Sequence, residues 1–336
     1  MKIWPYPILI IFVLGLFFFP QRSNEGEYFF EKEQSSQELK QSLKLIFVGD
    51  IMLDRGVEYQ VEKFGNADFP FEKTADFLKT ANILFGNLEG PIVSKPINFS
   101  SGSLKFAFAS TTAKTLQKYN FDILSLANNH TLNMGKSGLA QTREFLRKSS
   151  IRPLGDPIGC EKKYSAETED FVFVAFNKTF EINCSDEELV KVVSTLKEEN
   201  VNKFLIVSMH WGVEYQPKNS SAQKELAHKL IEAGADLIIG HHPHVVQNIE
   251  EYQGKLIFYS LGNFIFDQYF SEPVKTGLVI EIEASGQDLI YTLHPVYALQ
   301  LAQPSLVQDK ELFLKQLAEK SSSSLRAEIE KGVIKR

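Results

Sequence analysis

The 336-residue sequence lacks a dense run of lysine and arginine, and its formal net charge is -6. Nucleic-acid binding depends on clustered basic side chains, so such a partner is disfavoured. Cysteine is scarce as well: only Cys160 and Cys184 occur, and neither belongs to a Cys-x-x-Cys or zinc-finger spacing. We assign them no metal role. A disulfide and two buried free thiols are equally open alternatives for this pair.

Long apolar runs are also few, and the clearest one lies at the N-terminus. Ile8 to Phe19 is apolar throughout, follows Lys2 and is bracketed by prolines. Such a run suits the core of a signal peptide, since about 18 to 20 residues are needed to span a bilayer. No small-x-small cleavage site follows it. We therefore predict export, with residues 1–20 as a signal peptide or an uncleaved membrane anchor that leaves the domain outside the cytoplasm.

The rest of the chain alternates between strand-like and helix-like segments. Residues 21–42 are polar and are interpreted as a linker,. We assign residues 43–303 to one α/β domain and residues 304–336 to a peripheral helical tail. The predicted strands are Lys44–Gly49, Ile83–Gly86, Phe121–Leu126, Phe171–Phe176, Phe204–Met209, Leu237–Gly240, Lys255–Tyr259, Gly277–Glu283 and Leu289–Val296; the predicted helices are Phe71–Thr80, Thr112–Tyr119, Lys136–Lys148, Asp186–Glu199 and Ala222–Ala233. This alternation predicts a largely parallel or mixed sheet flanked by helices.

Polar residues follow several of these strands directly. Ligands of open α/β sheets bind just outside the carboxyl ends of the strands, so these residues are expected to meet at one edge. Alone, each of them could be a turn, cap or core residue. Together they have the composition of a binuclear metal centre for Zn, Mn, Fe or Mg. The set comprises Asp50, Glu89, Asn128, Asn129, His130, His210 and the run from His241 to His244.

The tripeptide His242-Pro243-His244 has a specific geometry in this prediction. A residue that precedes proline is biased toward extended backbone, and residues i and i+2 of an extended chain point to the same side. We therefore expect the two imidazoles to face one site. A solvated, histidine-rich loop is the alternative.

These segments resemble the bacterial capsule-synthesis protein CapA family, which is associated with poly-γ-glutamate. The similarity extends from about Lys44 to Val296 and rests on six motifs: Gly49-Asp50-Ile51-Met52-Leu53, Asn87-Leu88-Glu89, Ala127-Asn128-Asn129-His130, His210-Trp211-Gly212-Val213-Glu214-Tyr215, Gly240-His241-His242-Pro243-His244-Val245 and Tyr259-Ser260-Leu261-Gly262-Asn263-Phe264. The resemblance implies a calcineurin-like metallophosphoesterase fold, a four-layer sandwich of two mixed β-sheets flanked by helices. It also implies one or two divalent metal ions.

The resemblance further implies residue roles. Asp50 and His244 would bind a first metal, and Glu89 would bridge two metals. A second metal would be bound by Asn129, His210 and His242. His130 would be the catalytic general acid or a charge stabiliser. Substrate or second-shell contacts would come from Arg55, Asn128, Glu214, Tyr215 and Asn263.

Three residues depart from the pattern that the resemblance implies. Met52 replaces a histidine usual near the first metal, Asn133 replaces a common aspartate, and Asp54 stands where a small residue is usual. Three functions follow as expectations. One is a metal-dependent hydrolase of a phosphoester or γ-glutamyl bond, acting on a cell-envelope polymer or a small anionic substrate. Another is a membrane-tethered scaffold or polyanion-binding component beside polymer-synthase subunits. The third is a plain periplasmic binding domain with a structural metal.

Overall fold

The computed structural model describes residues 42–97, 103–179, 184–286, 288–299 and 302–336. The predicted membrane anchor and residues 21–41 of the predicted linker lie outside this part. Among the described residues, none of the helices combines the length and the apolar character that a membrane crossing requires.

The larger of the two main sheets is built around β1. Its strands run in the order β16-β15-β14-β1-β2-β5-β6, while β13 pairs with the end of β1 and β17 pairs with β15. Pairing is parallel from β1 through β2 and β5 to β6, and antiparallel among β1, β14, β15 and β16. The strands are β1 (Leu43–Ile51), β2 (Ile83–Leu88), β5 (Phe121–Ser125), β6 (Arg152–Leu154), β13 (Asn263–Ile265), β14 (Thr276–Ser285), β15 (Asp288–Leu299), β16 (Gln303–Leu306) and β17 (Val333–Lys335).

The second sheet has the order β11-β12-β10-β9-β8-β7. Its central strands β8, β9, β10 and β12 are parallel, with antiparallel strands at both edges. The strands are β7 (Ala166–Glu167), β8 (Phe171–Asn177), β9 (Phe204–His210), β10 (Leu237–His241), β11 (Ile249–Tyr252) and β12 (Lys255–Phe258), and a separate two-stranded ribbon joins β3 (Ile92–Val93) to β4 (Phe108–Ala109).

Three apolar clusters define four layers. The first cluster lies between the sheets, where Phe47 and Phe85 of one sheet meet Phe173 and Ile239 of the other. The second packs the outer face of the first sheet against helices, and the third packs the outer face of the second sheet against α5 and α6. The helices are α1 (Gly56–Phe64), α2 (Ala75–Leu78), α3 (Thr112–Lys118), α4 (Gly135–Lys148), α5 (Asp186–Glu199), α6 (Ser221–Glu232), α7 (Glu272–Lys275), α8 (Glu311–Lys320) and α9 (Arg326–Lys331). The predicted four-layer sandwich of two mixed sheets is confirmed.

Local chemistry accounts for several helix boundaries. The side chains of Ser185 and Ser220 each begin a helix in a capping box, with Glu188 and Gln223 as the reciprocal partners,. The predicted helix Phe71–Thr80 is reduced to α2. The backbone and hydroxyl of Thr74 both bond to the Phe71 carbonyl and close a turn before the helix begins,.

The C-terminal segment differs from the predicted peripheral tail. Leu314 and Leu317 of α8 and Ile329 of α9 are fully or almost fully buried in the cluster between the sheets. β17 adds a strand to β15. The Ser321 hydroxyl accepts a hydrogen bond from the Ile249 amide at 2.9 Å, which covers part of the edge strand β11. Residues 304–336 are thus part of the domain, because their apolar residues pack against strands distant in the sequence.

The two cysteines form a disulfide between Cys160 and Cys184, with Cα atoms 6.0 Å apart. The bridge joins the loop after β6 to the residue that precedes the cap of α5. The alternative of two free thiols, left open by the sequence, is therefore wrong.

Candidate metal centre

The predicted site residues meet where strands of both sheets end. Asp50 lies at the end of β1, His210 ends β9 and His241 ends β10. His241 stands directly beside His210 in the register of the second sheet. All three side chains are buried. The rule that parallel strands deliver their ligands to one edge therefore holds for both sheets at once.

Asn87 lies at the centre of this cluster. Its side-chain Nδ2 donates to Asp50 Oδ1 at 2.8 Å and to Glu89 Oε1 at 3.1 Å, and lies 3.2 Å from His210 Nδ1. Its Oδ1 accepts from Asn128 at 3.1 Å. The Asn87 amide thus contacts three side chains of types that bind cations, namely Asp50, Glu89 and His210.

Two groups of side chains have the spacing that a metal ion needs. In the first, ligand atoms of Asp50, Glu89 and His210 lie within 4.8 Å of one another. In the second, ligand atoms of Glu214, His242 and His244 satisfy the same limit. The rings of His210 and His242 are 4.8 Å apart, so the two groups adjoin.

Buried polar atoms without a hydrogen-bond partner test whether these residues fit an ion. At this centre they include Glu89 Oε2, His242 Nδ1 and His241 Nε2. Burying such atoms unpaired costs about 1–3 kcal/mol each. Carboxylate oxygen and imidazole nitrogen are the ligands that Mn, Zn, Fe and Mg centres use. The donor set and its unpaired atoms therefore fit a divalent cation.

The two buried carboxylates have opposite pKa shifts. Burial opposes ionisation of Asp50, yet its contacts with His241 and His244 hold its pKa well below the usual range. For Glu89, burial and then the charge of Asp50 raise the pKa well above the usual range. Without a cation, burial and the charge of Asp50 therefore favour the protonated form of Glu89 over the ionised form,.

Three histidines of the centre have pKa values below the usual range. Burial lowers the pKa of His130 to about 4 and that of His242 to about 4. Burial also lowers the pKa of His210 well below its usual value, assisted by the neighbouring His242. Neutral imidazole is the form that binds metal ions.

Asn129 and His130 lie next to these ligands. Asn129 Oδ1 is 2.8 Å from His210 Nε2, and Asn129 Nδ2 is 3.3 Å from His130 Nε2. The other ring nitrogen of His130 lies 3.3 Å from Asn133 Oδ1. The ring packs on Phe106 with 4.4 Å between centroids. His130 thus contacts the ligand set through Asn129 and is fixed from behind by Asn133.

The backbone at His242-Pro243-His244 differs from the predicted extended geometry. His242 has φ 97° and His244 has φ 57°, so both are in the positive-φ region. The predicted extended backbone at His242 is therefore wrong. The two rings are nonetheless 6.0 Å apart, because a tight turn rather than an extended strand brings them to the same site. A positive φ strains the backbone of a residue that has a Cβ, and such strain is concentrated at functional sites.

A chain of polar side chains connects His244 to the mouth of the site. His244 Nδ1 is 3.0 Å from Asn263 Oδ1 and 3.4 Å from Asp50 Oδ2. Asn263 Nδ2 donates to Gln268 Oε1 at 3.1 Å, and Gln268 Nε2 donates to the Tyr215 hydroxyl at 3.2 Å. Glu214 beside it is exposed. Asn263 thus contacts His244, while Glu214 and Tyr215 lie on the exposed side of the site.

Comparison with known proteins gives the family. A family model described as bacterial capsule synthesis protein PGA_cap matches residues 44–163 and 159–268. These ranges contain every side chain of the centre described above. The chain belongs to the PGA_cap family.

Two relatives have related names. "PGA biosynthesis protein CapA" of Bacillus subtilis (strain 168) is 32% identical over 256 residues, covering 70% of this chain and 67% of the relative. "Capsule biosynthesis protein CapA" of Bacillus anthracis is 29% identical over 266 residues, covering 71% of this chain. The match spans 63% of the length of the Bacillus anthracis protein.

Among solved structures, purple acid phosphatase PPD1 from yellow lupin seeds overlaps with a TM-score of 0.36 at 10% identity. The overlap covers 75% of this chain and 51% of the phosphatase. An overlap of this extent says nothing about the activity of the PGA_cap chain.

Two residues of the PGA_cap centre had no predicted role: Asn87 was not selected, and His241 was only part of the strand-end set. Asn87 contacts both carboxylates, and His241 lies 3.4 Å from Asp50 Oδ1 through its Nδ1. Both stood within the motifs that the sequence analysis quoted. Residue spacing in an extended chain pointed to His242 and His244 instead. Side chains alternate between the two faces of a strand. Continuing this alternation along β10 to His241 could have identified His241.

Arg55 and Asn128 support the PGA_cap centre from outside. Arg55 bonds to Asp267 and to the Ser103 carbonyl, and its guanidinium lies 4.8 Å from the Phe106 ring. Asn128 is fully buried, donates to the Leu88 carbonyl at 2.8 Å, and accepts from the His130 amide at 3.1 Å. Asn128 therefore orients the loop that carries His130.

The three departures from the expected pattern have structural partners in this PGA_cap chain. Met52 is fully buried, and its sulfur accepts from the Asp54 amide at 3.2 Å. Asp54 accepts from the Ala107 amide at 2.7 Å. Asn133 accepts from the Phe106 amide at 2.8 Å. Asp54 and Asn133 thus both anchor the loop whose Phe106 packs on His130.

Proposed function

We propose that this chain is an extracytoplasmic, membrane-tethered CapA-like component of capsule or poly-γ-glutamate synthesis or export. Its metal-dependent hydrolase-type site would act on a phosphoester or γ-glutamyl bond. The observation that carries the proposal is the buried meeting of Asp50, Glu89 and His210 with His242 and His244, at ligand spacing and with unpaired polar atoms.

One or two ions of Mn, Zn, Fe or Mg would be held by Asp50, Glu89, Asn129, His210, His242 and His244, with His241 as an added candidate. When bound, such ions polarise a phosphoryl or carbonyl oxygen and make hydroxide available near neutral pH. Around them, Asn263 holds His244 with Nδ1 as the protonated nitrogen. Asn128 and Asn133 hold His130 beside the ligands. Because its pKa is about 4, His130 would first take up a proton from the substrate or a bound water and then give it to the leaving group,.

A scaffold or polyanion-binding role is the second candidate, and Asn87 favours it. Its Nδ2 already donates to Asp50 and Glu89, so the first group of ligands is held together without a cation. Met52 also replaces a ligand that the resemblance would place there. In this role the centre would bind a polyanion from the cell envelope and cleave nothing.

Export to an oxidising compartment is supported by the Cys160–Cys184 disulfide,. We expect the full-length chain in bacterial cells to fractionate with the membrane and to be digested by protease added to spheroplasts. A cytoplasmic marker protein is the control and should stay intact. Recovery of the chain in the soluble cytoplasmic fraction would contradict this location.

Metal binding is tested on the full-length chain purified in detergent. After chelation and reconstitution with Mn or Zn, we expect one or two bound ions per chain by elemental analysis. Asp50→Ala and His242→Ala should each lower that content, while His228→Ala, on α6, should not. A wild-type chain free of metal after reconstitution would exclude the metal-dependent site.

Chemistry is tested separately with His130→Ala. We expect hydrolysis of a phosphodiester or γ-glutamyl test substrate to fall about 10²- to 10⁴-fold, as general acid–base catalysis contributes this much. Metal content should remain that of the wild type. A metal-loaded wild type inert on both substrate classes would favour the scaffold role.

A further inference from the structure

We propose that Tyr215 donates a hydrogen bond to an oxyanion at the mouth of the centre, and that Gln268 is the positioning residue that directs its hydroxyl proton there. This inference rests on the proposed function, since the oxyanion is the phosphate or carboxylate group of the substrate. Neither the family match nor the sequence motifs assign a role to Gln268.

The direction of the hydrogen bonds is fixed from the protein interior outward. Asn263 Nδ2 donates to the Val274 carbonyl at 3.0 Å as well as to Gln268 Oε1. A carbonyl can only accept, so the Asn263 amide has one orientation and Gln268 must present its oxygen to it. The Gln268 Nε2 group then faces Tyr215 as a donor.

This direction determines what the Tyr215 hydroxyl can do. Its oxygen accepts from Gln268, so its own proton is available to another acceptor. The ring stands 6.2 Å from that of His244 and 5.1 Å from that of the exposed Phe270. Glu214 is the neighbouring acceptor, and its ligand atom lies within 4.8 Å of those of His242 and His244. A bound oxyanion beside these histidines competes with Glu214 for the proton.

The backbone of Tyr215 supports a fixed position. Its φ is 63°, an unfavourable value for a residue with a Cβ,. The Tyr215 amide donates to the Pro243 carbonyl at 2.8 Å, which ties it to the turn between His242 and His244. Strain of this kind persists only where the surroundings hold it. The hydroxyl is therefore placed by the same turn that places the two histidines.

A double-mutant cycle on the full-length chain tests the relay, with inorganic phosphate and L-glutamate as probes. Both are titrated by calorimetry into metal-free and Mn-loaded protein. Tyr215→Phe should weaken binding of the recognised probe about tenfold or more, the usual loss for a hydrogen bond to a charged oxygen. Gln268→Glu should cost a similar factor, because its carboxylate takes the Tyr215 proton while still accepting from Asn263.

The added charge of Glu at position 268 is controlled by the same cycle. In the Tyr215→Phe background, Gln268→Glu should change affinity by no more than about twofold, since no proton remains to be captured. An equal loss in both backgrounds would show a charge effect alone and overturn the proposal. Gln141→Glu on α4, whose hydrogen bonds go to Ser94 and Ser137, is the matched control and should leave affinity unchanged.

A metal-independent measurement separates this inference from the proposed function. In metal-free protein labelled with ¹⁵N-glutamine, Tyr215→Phe should shift the side-chain amide signals of Gln268, and unchanged signals would overturn the relay. Metal content of Tyr215→Phe and Gln268→Glu should equal that of the wild type. A wild-type chain that binds neither probe, metal-free or loaded, would also overturn the inference. A chain that binds a probe without taking up metal would contradict only the metal-dependent function.

Discussion

Asn87 is the residue whose chemistry most affects the occupancy of the centre. An amide neutralises nothing, but it satisfies Asp50 and Glu89 by donating to both. An aspartate of the same shape would add a third carboxylate at this point. A site with aspartate at position 87 would therefore require a cation more strongly than the site with asparagine does.

Asn87→Asp should raise the affinity for Mn or Zn by about tenfold or more, because ligand charge tunes cation affinity. The metal-free variant should unfold at a lower temperature than the wild type, since three carboxylates then repel one another. Calorimetric titration and thermal unfolding measure the two effects. Asn66→Asp, in the turn after α1, is the control. An unchanged affinity would show that Asn87 does not face the ion.

Lys320 is a second residue with a measurable consequence. Burial lowers its pKa to about 8 from 10.5, and its ammonium donates to the Val246 carbonyl at 2.6 Å. Below pH 8, the folded state carries a buried charge that the unfolded state exposes to water. Between pH 8 and 10.5, the unfolded chain binds more protons than the folded chain, so the free energy of unfolding rises with pH.

This rise should amount to at most about 3 kcal/mol and should be missing from Lys320→Met. Denaturant unfolding at several pH values between 7 and 10.5 gives the difference between the two proteins. Lys315→Met, an exposed position of the same helix, should follow the wild type. A constant difference between wild type and Lys320→Met would contradict the burial of this charge.

Single residues also show what the sequence can and cannot predict. Asp50 and His210 were predictable because each follows an apolar strand, and strand ends meet at one edge. His241 was part of the strand-end set but was given no role, because three histidines occur within four residues and only the backbone turn decides which rings face the centre. Asn87 was missed because an amide that holds two carboxylates together has no signature in spacing.

At the scale of elements, the strand ends approach each other so closely that two glycines are required. A Cβ on Gly49 would lie 2.0 Å from the Gly262 carbonyl oxygen, and one on Gly240 would lie 1.9 Å from that of Tyr259. These glycines precede Asp50 and His241. The segment after β12 therefore packs directly behind both candidate ligands.

Gly49→Ala should lower the free energy of unfolding by about 3 kcal/mol or more, since backbone cannot move aside as a flexible side chain can. It should also reduce metal content, because Asp50 is displaced. Gly159→Ala is the matched control: its added Cβ meets nothing closer than 3.5 Å, so a change within about 0.5 kcal/mol is expected,. Denaturant unfolding and elemental analysis give both quantities. Equal stability of the two variants would contradict the close approach.

The nine predicted strands are all present, because alternating apolar runs and turn residues are local signals. The helical tail was predicted to be peripheral because its burial depends on contacts that are not local in the sequence. Leu314 and Leu317 lie among charged residues, and the strands that bury them are remote in sequence. Amphipathic periodicity predicts that a helix has an apolar face, but not which surface covers it.

At the scale of the whole molecule, the centre joins the two sheets. Asp50 belongs to the first sheet and His210 to the second, and their ligand atoms lie within 4.8 Å of each other. An ion bound to both would act as a crosslink between the layers. It would favour the folded state, since the unfolded chain does not assemble the ligands.

Removal of metal by chelation should therefore lower the melting temperature. At an ion concentration about 100 times the dissociation constant, binding adds about 2.7 kcal/mol. For a domain of this size, that corresponds to a shift of about 4 °C. Scanning calorimetry of chelated and reloaded protein gives the value, and His242→Ala should show a smaller shift. Measured binding with an unchanged melting temperature would show that the unfolded chain binds the ion as tightly as the folded chain, which contradicts a crosslink formed only in the fold.

The bridge between Cys160 and Cys184 has a consequence for anyone who produces this protein. A host cytosol kept reducing by thioredoxin and glutathione would yield chains whose loop after β6 is untethered from the start of α5. Such material could differ from the native molecule before any measurement begins. Secretion into a periplasm, or an oxidising strain with an added isomerase, is the appropriate route, and free-thiol titration of each batch is its quality check.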